Sequence, residues 1–148
     1  MLNEVRRILS SVGRFAALIN GPMDAAPRYK DVYNLIYDYV QTKLPNYGEL
    51  DLGDPRIRST DSLEHLLSEA FPDAKINIDT NVVSMEGPVA KVAETTAGFF
   101  YASFILPPEI RKIMLSKLSD LLVISKQTKD IEGQGHFSMP INRLVVTK

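Results

Sequence analysis

The sequence predicts an α+β fold: about five helices around a buried central helix, with a β-hairpin and a C-terminal strand forming a small antiparallel sheet. Three observations carry that expectation. Apolar residues recur at helical spacing through most of the chain. Lys75-Ile76-Asn77-Ile78-Asp79 alternates strictly between polar and apolar, and the chain ends on the β-branched run Leu144-Val145-Val146-Thr147. A chain of 148 residues buries about 68–70% of the surface that its unfolded form exposes, so one globular domain over residues 1–148 is expected.

Leu2, Val5, Ile8, Leu9, Val12, Phe15, Ala16 and Ile19 lie at helical spacing opposite Arg6, Arg7, Ser10 and Arg14, which predicts a first helix stopped by Asn20-Gly21-Pro22. Pro27 opens a second helix that runs to Leu44, with Val32, Leu35, Ile36, Tyr39 and Val40 as its apolar stripe. Residues 45–59 read as a long loop without a clear period. Asp61 is the expected N-cap of a third helix, with Glu64 three positions on and Leu63, Leu66, Leu67, Ala70 and Phe71 on its buried face.

The alternating run at 75–79 and Val82-Val83-Ser84-Met85 are separated by Thr80-Asn81, and together they predict a β-hairpin closed by Gly87-Pro88. From Val89 to Leu106 apolar groups nearly encircle the central helix. Its narrow face of Lys91, Thr95, Gly98 and Ala102 should let another backbone approach closely. Pro107-Pro108 reset the chain for a last helix bearing Ile110, Ile113, Met114, Leu118, Leu121 and Leu122. Residues 125–140 read as a second long loop, which leaves the terminal strand in need of a partner.

Hydrophobic residues make up 45% of the chain and charged residues 24%, which excludes disordered and fibrous classes. Without cysteine there can be no disulfide, thiolate metal site or cysteine nucleophile, and the composition fits a reducing compartment. The N-terminus lacks the apolar core of a signal peptide, and the apolar stretch from Thr95 to Pro108 is too short to cross a bilayer. A cytoplasmic protein with no membrane partner is therefore expected.

The net charge of −1 is unevenly spread: residues 1–30 carry five cations and two anions, residues 31–86 four and eleven, and residues 87–148 eight and five. Such polarity can steer unlike surfaces together.

Several residue groups could carry chemistry. Asp61, His65 and Glu69 fall at i, i+4 and i+8, so one helix face could offer two or three ligands to a divalent ion; it could equally be the helix's solvated side. Glu49, Asp51 and Asp54 crowd the first loop without the spacing of a calcium loop. His136, after Gly133-Gln134-Gly135, is either a mobile acid–base group or a solvated histidine in a glycine-rich turn. That glycine pair lacks the further glycines of a phosphate cradle, and no Gly-x-Ser-x-Gly elbow is present. No cofactor is implied.

Arg56, Arg58, Lys126 and Lys129, with the helix-one arginines, could meet nucleic-acid phosphates if the fold collected them, although the pI of about 6.1 argues against a dedicated binder. Tyr29, Tyr33 and Tyr37 form a ladder on one flank of the second helix, suited to a core edge or to a protein interface. With no catalytic set apparent, the sequence points to a non-enzymatic assembly protein, such as a homo-oligomeric virion component. Arg6, Arg7, Arg14, the three tyrosines, Glu49, Asp51 and Asp54 are its contact candidates, and its partners are copies of itself or other subunits. A nucleic-acid binder and a metal-assisted hydrolase built on the acidic 49–69 region are the alternatives.

Overall fold

The computed structural model describes residues 2–46, 59–126 and 133–148. In chain order the elements are α1 (Leu2–Ile8), β1 (Arg14–Asn20), α2 (Tyr29–Lys43), α3 (Thr60–Ala70), β2 (Lys75–Pro88), α4 (Val89–Gly98), a 3-10 turn (Tyr101–Phe104), α5 (Pro108–Leu122), β3 (Val123–Ser125) and β4 (Gln134–Thr147). The fold is α+β: the described residues form five α-helices and a four-stranded sheet in the order β1-β4-β2, β3 also pairing with β4. Among the described residues, no helix is long and apolar enough to cross a membrane.

Several elements depart from the sequence reading. The predicted first helix stops at Ile8, and Arg14–Asn20 is a strand antiparallel to β4, with Phe15 opposite Val146 and Ile19 opposite Asn142. A run such as Phe-Ala-Ala-Leu-Ile fits either period, and the ladder with β4 decides between them.

The hairpin is replaced by one continuous 14-residue strand, β2. Thr80 does not turn: its hydroxyl bonds Asn142 Oδ1 across the ladder at 2.7 Å. Four positions on, the Ser84 hydroxyl meets that of Ser138 at 2.8 Å, so β2 and β4 run antiparallel.

Most of the second predicted loop is strand. β4 begins at Gln134, and the terminal run is the end of an inner strand flanked by β1 and β2 rather than a lone strand. Pro140, within β4, cannot donate to a ladder. It sits just beyond the Asn20–Ile141 pair, where its carbonyl still accepts from Gly21 N–H at 2.8 Å.

The predicted 89–106 helix ends at Gly98, and the chain continues through the 3-10 turn. The first long loop keeps only residues 45, 46 and 59 within the described residues.

Two compact units account for the contacts. The first takes the described residues of 1–25, 52–83 and 139–148. Its core joins Leu63, Leu67, Ala70 and Phe71 of the α3 segment to Leu144 and Val146 of β4, with Phe15, Ile19, Ile76 and Ile78 packed around them and Phe15 stacked on Phe71 at 6.4 Å. Those α3 residues share one face because they recur every three or four positions. Ser59, not Asp61, caps α3, its hydroxyl accepting from Ser62 N–H at 3.5 Å, which moves Asp61 into the first turn.

The second unit takes the described residues of 26–51 and 84–138. Here Val32, Ile36 and Val40 of α2, Val92, Ala93 and Ala97 of α4, and Met114, Leu118 and Leu122 of α5 are buried. Two features position its parts. Arg28, at φ 60°, precedes α2 and donates through Nη1 to Leu121 O at the end of α5 (3.0 Å), satisfying a carbonyl that the helix leaves open. The start of α4 lies against Gly133, just before β4, and Gly135 within it, with Val89 N–H donating to Gly133 O at 2.9 Å.

Candidate functional site

Chemically versatile side chains meet in the second unit where β2 and β4 run side by side. Residues two apart on a strand project from the same face, so His136 and Ser138 share a face, and Ser84 lies across the ladder from Ser138. Ser138 Oγ is 3.3 Å from His136 Nε2 and 2.8 Å from Ser84 Oγ. Ser138 is 3% exposed, whereas Ser84 is open to solvent and His136 half-buried.

A buried hydroxyl thus links an accessible hydroxyl to an imidazole. With His136 in the tautomer that leaves Nε2 bare, Ser84 donates to Ser138 and Ser138 to His136, a continuous path for one proton. Ordinary cross-strand serine pairs lack that third member.

The sequence drew attention to His136 but not to Ser84 or Ser138, because 125–140 reads as a loop. The signal was present in the alternation of His136, Ser138 and Asn142 with Phe137, Met139 and Ile141.

The other predicted site residues are not brought together. Arg6 and Arg7 are exposed on α1, where Arg7 forms a two-pronged ion pair with Glu4 (2.6 Å at its shortest). That hydrogen bond holds the Glu4 carboxyl below its ordinary range and raises Arg7. Arg14 lies on β1 rather than on the first helix, and Lys126 is exposed after β3.

Tyr29 does not line a surface. It is 3% exposed, with its ring 6.0 Å from Phe100 and 6.2 Å from Phe137. Tyr33 and Tyr37 stack on each other at 4.3 Å and present edges to Phe100. His65 Nε2 lies 3.2 Å from Glu69 Oε1 on the solvated side of α3, and among the described residues no group of three or more His, Cys, Asp or Glu could hold a metal ion. Glu49, Asp51, Asp54, Arg56, Arg58 and Lys129 lie outside the described residues.

No family model and no curated protein matches this chain. Among solved structures it is similar to that of a candidate methyltransferase from Bacillus halodurans C-125, at 10% identity and a TM-score of 0.47, covering 99% of this chain and 61% of that one. This chain therefore spans about three fifths of that protein's length.

The expectation of a non-enzymatic assembly protein is corrected here. The neighbour is a candidate enzyme. The structure also removes two premises of the assembly reading, because the terminal strand is already flanked on both sides and Tyr29 is core. At that TM-score the likeness carries no activity or ligand to this chain.

Proposed function

We propose that this chain is an enzyme, or a part of one, that activates the Ser84 hydroxyl as a nucleophile toward an acyl group. The observation that carries this reading is the hydrogen-bonded path from accessible Ser84 through buried Ser138 to His136. A serine hydroxyl is a weak nucleophile until a base takes its proton as it attacks.

Ser84 Oγ bonds to the acyl carbon while its proton moves to Ser138 and the Ser138 proton to His136 Nε2. As the bond from the acyl carbon to its leaving oxygen breaks, the imidazolium returns the proton through Ser138 alone to the departing alkoxide, since Ser84 Oγ is now acylated. Water then cleaves the acyl-serine, releasing the acid and restoring Ser84. Burial of Ser138 protects the relay from competing solvent bonds. The cysteine-free composition favours a reducing, intracellular setting.

Labelling with a fluorophosphonate, read by intact mass and peptide mapping, tests the proposal. One adduct on Ser84 is expected, absent in Ser84→Ala and formed at least roughly a hundredfold more slowly in His136→Gln, the scale of general-base assistance. No adduct, or one placed elsewhere, would refute it.

A further inference from the structure

Side-chain and backbone contacts fix how β2 and β4 lie side by side. Arg143 Nη2 donates to Asp79 Oδ2 at 2.7 Å, Thr80 meets Asn142 and Ser84 meets Ser138, each step forward along β2 matched by an equal step back along β4. Val89 N–H on Gly133 O keeps the same register just past the end of β2. The ladder is therefore unbroken between Ser84 and Val89, and it sets Glu86 directly opposite His136.

Facing residues in an antiparallel pair alternate between hydrogen-bonded and non-hydrogen-bonded positions. Val89 and Gly133 form a hydrogen-bonded pair, so Glu86 and His136, three steps back, form a non-hydrogen-bonded one, where side chains stand closest and Cβ atoms are about 4.5–5.5 Å apart. Each side chain is also unengaged where the other can meet it. His136 uses Nε2 on Ser138, and among the described residues Nδ1 has no hydrogen-bond partner. Glu86 is exposed, and among the described residues it makes no hydrogen bond or ion pair.

We infer that Glu86 is a positioning residue for His136, its carboxylate turning across the ladder to accept from Nδ1–H. The inference rests on the activation of Ser84 proposed above, whose relay needs Nε2 bare. The two ring nitrogens are distinct, and a hydrogen bond at one decides where the proton sits. With the proton held on Nδ1, Nε2 is the nitrogen that takes the Ser138 proton, and the carboxylate then faces the imidazolium that forms. Proton transfer thus ends in a charge-assisted bond across the ladder instead of an isolated cation.

Long-range proton–nitrogen correlation NMR of the isotope-labelled full chain, at about pH 9 where imidazoles are ordinarily neutral, reports which ring nitrogen carries the proton. The chain has two histidines, and the signals lost in His65→Gln leave those of His136. In the wild type the Nδ1–H form should predominate by about tenfold, the scale of one hydrogen bond to a charged group. Glu86→Ala should lose that preference and Glu86→Asp should keep part of it, whereas a merely structural role for Glu86 would move the melt and leave the tautomer alone. Fluorophosphonate labelling of Ser84 should slow at least about tenfold in Glu86→Ala, the low end of what losing an imidazole's carboxylate partner costs. His136 protonated chiefly on Nε2, or a tautomer ratio unchanged in Glu86→Ala, overturns the inference even where Ser84 labels. A Glu86-dependent tautomer with no adduct on Ser84 removes the nucleophile instead and leaves the pairing standing.

Discussion

Gly135→Ala gives a stringent check on how β4 meets α4. A Cβ at Gly135 would lie 3.1 Å from Val89 Cα, 3.1 Å from its Cγ2 and 3.3 Å from its Cβ. Rotating the valine side chain relieves the Cγ2 contact but not the one to Cα. The valine backbone is itself tethered, because its N–H donates to Gly133 O at 2.9 Å.

Relief therefore requires the start of α4 to shift, and overpacking of this kind costs about 1–3 kcal/mol. Alanine stiffens the unfolded chain, offsetting about 0.4–1 kcal/mol where no left-handed backbone is needed, as here. A net loss of about 1–2 kcal/mol should lower Tm by roughly 2–8 °C for a chain of this size.

Gly98→Ala is the internal control. Nothing lies within 4 Å of a Cβ at that last residue of α4, so the same substitution should gain about 0.5–1 kcal/mol. Circular dichroism melts and urea titrations of both variants measure the difference. A Gly135→Ala protein melting at or above the wild type would refute the close approach and its tether.

Leu67→Ala, at a fully buried position among Leu63, Phe71 and Leu144, should cost about 2–5 kcal/mol in a urea titration, against well under half of that for half-buried Leu66 on the same helix. Arg28→Ala should destabilise by about 1–2 kcal/mol, because it keeps a left-handed backbone unfavourable to alanine and removes the bond to Leu121 O. Arg28→Gly should recover roughly 1 kcal/mol of that by relieving the backbone. Burial first, and the neighbouring Tyr33 second, push the Tyr29 phenol above its ordinary value of 10.0. The folded value then exceeds the unfolded one, so the stabilisation from Tyr29 is complete below pH 10 and is lost as pH climbs from there through the folded value. Alkaline melts should show that decline, and Tyr29→Phe should lessen it; an unchanged slope would count against burial of the phenol.

The sequence by itself determined the fold class and most of the helical inventory, since α2, α3 and α5 each carry an apolar stripe wide enough to bury one face and a proline near at least one end. It also marked Gly87-Pro88 as the boundary before α4. It did not determine Arg14–Asn20, Thr80-Asn81 or residues 134–140, where local preference is weak and pairing across the sheet contributes the deciding free energy. β4 makes this plain: Gly135 and Pro140 spoil its appearance in one dimension, yet β1 and β2 satisfy it from both sides. The candidate site followed the same rule. Ser84 is 54 residues from Ser138 in sequence, and only the register between β2 and β4, a non-local property of the folded chain, brings it to Ser138 and His136.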